Sequence, residues 1–168
     1  MGVLLLLCLP VAAVAASASS PLAALQLEAI PDAWRDDSGA RFELHSLRGE
    51  NVVVTMAYAR CHRTCPLTLR RLQQLQRMFD ERGVRGEFVV IGYDPQGDDV
   101  RAWHQYRLSH GLRRANWHFL WGNEAQVEQT ASLLGLPFWR YDDHIMHEAR
   151  ILFFDTTGLA HEEPELVR

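Results

Sequence analysis

The chain is predicted to be an α/β protein with a mixed central sheet flanked by helices. Three observations predict it. Val52-Val53-Val54-Thr55-Met56-Ala57-Tyr58 and Glu87-Phe88-Val89-Val90-Ile91-Gly92-Tyr93 are apolar runs of strand length without period-two alternation, the pattern of strands buried on both faces. Between them Leu69, Leu72, Leu75 and Phe79 recur at helical spacing. Further on, strand and helix keep alternating until the pattern closes in a hairpin, which makes the sheet mixed rather than wholly parallel.

The first 18 residues carry no charged side chain, and the apolar run over residues 3–16 leads into Ala16-Ser17-Ala18, a small-x-small cleavage pattern. Residues 1–18 therefore read as a signal peptide, with an N-terminal membrane anchor as the alternative. Residues 19–38, rich in Ala, Ser and Pro and ending in a turn at Asp36-Asp37-Ser38-Gly39, read as a flexible tether, and residues 39–168 as the folded domain. Residues 41–45 alternate weakly as a short strand, ahead of the buried strand at 52–58.

Pro66 suits the first turn of the helix that follows, since its missing N–H has no partner there anyway, and Gly83 stops that helix after about 17 residues. Asp94-Pro95-Gln96-Gly97 is turn chemistry after the second strand, and residues 99–110 read as a helix. A third strand is expected at 117–121. Asn123 caps a helix running to Leu134, which Gly135 and Pro137 end. Residues 149–154 form the last main strand and 159–162 a short edge strand.

Composition excludes several classes of function. A net charge of -4, with the arginines scattered along the chain, leaves no basic footprint for nucleic acid. Every one of the 17 basic residues is Arg, so chemistry that needs a deprotonatable amine, Schiff bases included, is absent. What remains is Cys, His, carboxylates or a metal.

Without the leader, which holds Cys8, the only cysteines are in Cys61-His62-Arg63-Thr64-Cys65-Pro66. The motif directly follows a buried strand and opens a helix, where N–H groups and the helix dipole stabilise thiolate, the form that is both nucleophile and metal ligand. A spacing of four places the two Cα atoms about 6 Å apart if the segment is helical, which permits a disulfide or shared coordination of one ion. A purely structural bridge is the weaker reading, because so short a loop removes little unfolded-state entropy. Copper accepts thiolate and imidazole together. Of the eight histidines, His147 is the best placed, in Asp142-Asp143-His144-Ile145-Met146-His147, a loop able to fold over the site ahead of the last main strand. His144 and Met146 are the runners-up.

Residues 52–162 resemble the Sco/SenC family of thioredoxin-like copper chaperones, with strand, C-x-x-x-C-P, helix, strand, Asp94-Pro95 and the late His147 in the same order. The resemblance implies a thioredoxin-like fold; because the chain stops at Arg168, soon after the closing hairpin, the usual C-terminal helix is expected to be reduced or absent, a departure from the family. It also implies one copper, Cu(I) or Cu(II), bound by Cys61, Cys65 and His147 and delivered to a copper-receiving protein such as a cytochrome oxidase subunit. The chain departs from the commoner pattern at His62-Arg63-Thr64, where Pro-Asp is usual, and at Glu148, where Ser is usual. An exported, periplasmic metallochaperone is the leading expectation. The alternative is a thiol-disulfide oxidoreductase in which Cys61 and Cys65 are the redox-active pair and His147 is dispensable.

Overall fold

In the computed structural model Val52–Ala57 (β3) is buried at every position and forms the middle of a five-stranded sheet. The structure describes residues 24–61, 65–142 and 144–162, without the side chains of Cys65 and Pro66. On one side β3 runs parallel to Glu87–Gly92 (β4), which is parallel to Trp117–Leu120 (β5); on the other it is antiparallel to Ile151–Phe154 (β8), whose outer neighbour is Ala160–His161 (β9). This mixed sheet carries three helices, as the alternating pattern predicts, and the whole is a thioredoxin-like fold.

The helix Cys65–Glu81 (α1) buries Leu69, Leu72, Leu75 and Phe79, the stripe expected from the sequence. Gly83, at φ 65°, takes the left-handed conformation just past its end. Val100–Ser109 (α2) is capped by Asp99, whose side chain accepts from Ala102 N at 2.8 Å. Glu124–Leu133 (α3) starts in a capping box: Asn123 Oδ1 accepts from Gln126 N at 2.9 Å and Gln126 Oε1 from Asn123 N at 3.1 Å. No helix follows β9 among the described residues, and none of the described helices is long and apolar enough to cross a membrane.

Two stretches differ from the sequence reading. The leader lies outside the described residues, but the expected tether does not stay apart from the domain. Leu25, Leu27, Ile30 and Trp34 are buried, Leu27 N donates to Gly158 O at 2.9 Å, and Ala160 N donates to Leu25 O at 2.9 Å. Leu27, Ile30 and Trp34 have helical spacing, but only a 3-10 turn forms, at Leu27–Ala29, and the β9 turn supplies the partners of Leu25 and Leu27. Trp34–Arg35 (β1) then pairs with Arg41–Phe42 (β2), and the rest of the expected 41–45 strand winds into a 3-10 turn over Leu44–Leu47. The second difference is the segment expected to be a loop over the site. It is an antiparallel hairpin of Phe138–Tyr141 (β6) and His144–His147 (β7), a separate two-stranded sheet.

Candidate metal centre

Parallel pairing in register brings the carboxyl ends of β3 and β4 level, with Ala57 opposite Gly92. Tyr58 and Tyr93 therefore leave the sheet side by side, and Tyr93 N donates to Ala57 O at 2.8 Å. The chain turns at once, Cys61 N donating to Tyr58 O at 3.0 Å, and this tucks Cys61 into the edge of the core with 7% of its surface exposed. Cys65 is the first residue of α1. Residues 62–64 lie outside the described residues, and with them His62.

The hairpin decides which late histidine reaches the thiol. Asp142, in the two-residue connection, adopts φ 51°, the left-handed conformation that such tight turns require. The register pairs Phe138 with His147 and Arg140 with Ile145, so these four face the domain, while Trp139, Tyr141, His144 and Met146 face away. His147 Nε2 lies 4.0 Å from Cys61 Sγ, across 86 residues of sequence. His144 and Met146, the runners-up, are on the opposite face.

The His147 ring is held on three sides. Tyr58 meets it edge-on at 5.8 Å between centroids, and Tyr93 packs against it at 4.7 Å. Its Nδ1 lies 2.9 Å from the Glu148 carbonyl oxygen, which can only accept, so Nδ1 carries the proton and the Nε2 lone pair faces Cys61. Burial pushes the His147 pKa down, but the Cys61 contact and the Glu148 carbonyl outweigh it and hold the ring above the ordinary imidazole range.

Two carboxylates fix the loop that carries Cys61. Asp98, 1% exposed, accepts from Ala59 N through Oδ1 at 2.7 Å and from Asp94 N through Oδ2 at 3.0 Å. Burial pushes its pKa up to about 7 despite those two bonds. Asp94 accepts from Arg60 Nη2 at 2.9 Å through Oδ2 and from Arg140 Nη2 at 3.1 Å through Oδ1. One carboxylate thus ties the residue before Cys61 to the hairpin that carries His147. Burial raises the Asp94 pKa, but the two guanidinium bonds prevail and keep it below the usual carboxylate value. The Asp94-Pro95 turn is therefore more than a turn. Gly97 belongs to the same arrangement, because a Cβ there would overlap Asp94 Oδ2 and Arg60 Nη2.

Cys61 also borders an open cleft of about 720 Å³ that Arg60, Arg101, Gln105 and His110 line with it. Among the described side chains no three of His, Cys, Asp and Glu converge on one point, and Cys61 with His147 is the pair the fold assembles. Three of the other histidines are elsewhere: His45 bonds to Ile30 O and Asp32, His118 to Glu87, and His161 to Asp155. Sequence reasoning missed Tyr58, Tyr93, Arg60 and Arg140. The tyrosines had a legible signal, an aromatic one residue past each of two adjacent parallel strands, whereas the arginines had none.

Comparison with known proteins places this geometry. The family model described as SCO1/SenC matches residues 33–162. A SCO1 protein homolog from Bacillus subtilis is 23% identical over 108 residues, 64% of this chain and 56% of that relative, so the match spans little more than half the relative's length. Among solved structures, ScoI of Arabidopsis thaliana with copper bound superposes with a TM-score of 0.69 at 20% identity, over 78% of this chain and 83% of that one. BsSco, described as a member of the Sco family of cytochrome c oxidase assembly proteins and as containing a disulfide switch, gives 0.70 at 20% identity over 81% of each chain. With the family model running from just before β1 to just past β9, through Cys61, Cys65, Asp94 and His147, the chain belongs to the SCO1/SenC family.

Proposed function

We propose that this protein is an exported copper metallochaperone in which Cys61, Cys65 and His147 bind one copper ion and pass it to a copper-receiving protein such as a cytochrome oxidase subunit. The observation that carries the proposal is the 4.0 Å between Cys61 Sγ and His147 Nε2. Metal bonds of about 2.3 Å to sulfur and about 2.0 Å to nitrogen span a gap of this order at an open angle, so an ion enters with little rearrangement. The donor set of thiolate and imidazole suits Cu(I) and Cu(II) alike. Copper-bound relatives in the family support the same reading.

Three protein ligands and a half-buried histidine suit a carrier better than a store. A site short of closed coordination leaves a position for the recipient's ligand, and a hairpin outside the main sheet can lift without breaking that sheet. The apolar leader over residues 3–16 supports export to the periplasm.

Copper stoichiometry and the Cu(II) spectrum of reduced protein test the proposal, with His147→Ala and Cys61→Ser alongside. The expected result is one tightly bound ion in the native chain, altered coordination in His147→Ala and no tight binding in Cys61→Ser. An unchanged spectrum in His147→Ala would sink the ligand assignment.

The open cleft beside Cys61 favours a second reading, a dithiol reductant. In that role Cys61 and Cys65 give two electrons and two protons to a partner's disulfide and themselves close a disulfide. His147→Ala separates the two, since it spares the reductant and impairs the copper carrier.

A further inference from the structure

The outward face of the β6–β7 hairpin has no part in the site just described. Its composition is also unlike a solvated surface. Trp139 is 56% exposed, Tyr141 66% and Met146 41%, three of the five large apolar side chains left exposed among the described residues. His144 is exposed beside them. Folding does not require these residues to be apolar. The hairpin's register is already pinned by its inner face, where Ile145 is buried and His147 sits against Tyr58 and Tyr93. Trp, Tyr and Met grouped on one exposed face are more than scattered single residues and mark an interaction site.

The donors on this face point to which ligand. His144 and Met146 are two apart on one strand, so their side chains leave the same face with Cα atoms about 6.6 Å apart. That separation lets a long thioether and an imidazole meet on one ion. Trp139 is the cross-strand partner of Met146, which sets the indole beside the thioether. The side chains of Trp139, His144 and Met146 form no hydrogen bond or ring contact among the described residues, so no existing bond must break. A thioether and a neutral imidazole are a soft donor pair that suits Cu(I), an ion content with two or three ligands, and an indole face attracts a cation laid against it.

We propose that Met146 and His144, flanked by Trp139, form a second, surface-exposed Cu(I) site on the outer face of the hairpin whose inner face carries His147. This site stands on its own donors and needs neither cysteine. It holds Cu(I) more weakly than the thiol site and exchanges it with solution, since both donors are neutral and exposed.

Anaerobic titration with Cu(I) against a chromophoric Cu(I) chelator tests the proposal on the full chain. The native protein is expected to take up two equivalents, the second more weakly, and the His144→Ala/Met146→Leu variant only one. In Cys61→Ser/Cys65→Ser/His147→Ala one equivalent is expected to persist, and adding His144→Ala/Met146→Leu to that background removes it. Titration with Ag(I), a redox-inert substitute, is expected to quench tryptophan fluorescence in that triple variant, and Trp139→Phe abolishes the quench. A single equivalent in the native chain overturns the proposal. So does a residual equivalent that survives loss of His144 and Met146, or quenching that survives Trp139→Phe.

Discussion

Asp94→Asn is expected to weaken copper binding by about 5- to 30-fold without touching a ligand. The substitution keeps the side chain's shape and removes the charge that Arg60 and Arg140 share. A hydrogen bond to a charged group contributes about 1.5–3 kcal/mol when buried, and an exposed ion pair about 0.2–1 kcal/mol. Asp94 is 5% exposed, but Arg60 is 72% and Arg140 49% exposed, so solvent screens both pairs and each is worth about 0.5–1 kcal/mol. Because the hairpin forms a sheet of its own and does not pair with the main sheet, its closure over Cys61 rests on its inner side chains and on this clamp. A loss of about 1–2 kcal/mol in the closed state passes into copper affinity at tenfold per 1.4 kcal/mol. The assay is equilibrium competition for copper at neutral pH, with urea unfolding alongside to separate site effects from global stability. Arg140→Gln should cost part of the same loss, and the double variant with Asp94→Asn no more than Asp94→Asn alone, since both remove one contact. Gly97→Ala should reproduce the effect by wedging Arg60 from Asp94. Binding within twofold of native in Asp94→Asn, or full additivity with Arg140→Gln, refutes the clamp.

Three further outcomes are expected. Gly92→Ala puts a Cβ 2.8 Å from Asp98 Oδ2 and should lower stability by about 1–3 kcal/mol in urea unfolding; a change inside 0.5 kcal/mol, roughly the noise of surface substitutions, contradicts that packing. Asp98 titrates near 7 in the folded protein against an ordinary 3.8, so between those values the native state binds the extra proton and stability falls as pH rises. Asp94 reinforces this shift and Arg60 opposes it. Asp98→Asn should flatten that slope between about pH 4 and 7, and equal unfolding free energies of the native protein in urea titrations at pH 5 and pH 7 speak against it. Leu27→Ala should cost about 2–5 kcal/mol, as in a core position, because Leu27 is 1% exposed; a neutral result returns residues 24–30 to the status of a tether.

Much of the fold was legible because the signals are local. The buried runs at β3 and β4, the leucine stripe of α1, the Asp99 and Asn123 caps and the Gly83 stop each depend on residues a few positions apart. The stretch from Leu25 to Trp34 was not legible, since its partners are far along the chain, Gly158 and Ala160 for Leu25 and Leu27 and the Trp121-Gly122 corner for Trp34 and Arg35. Nor was the hairpin. Trp139, Tyr141 and Met146 face water, so β6 and β7 lack the apolar-in, polar-out alternation that marks a strand.

For the site, the sequence by itself determined the candidate donors and the position of the thiol pair, since C-x-x-x-C-P after a buried strand already puts Cys61 at the carboxyl end of the sheet and Cys65 at a helix start. It narrowed the histidine to one segment. The sequence ranked His147 ahead of His144, and the tertiary structure supplied the physical reason: side chains alternate along β7 and the tight turn at Asp142 sets which face turns inward. The same folding step brought Arg140 and Arg60 onto Asp94. Those contacts span 46 and 34 residues, and at such separations chain order carries no record of charge meeting charge.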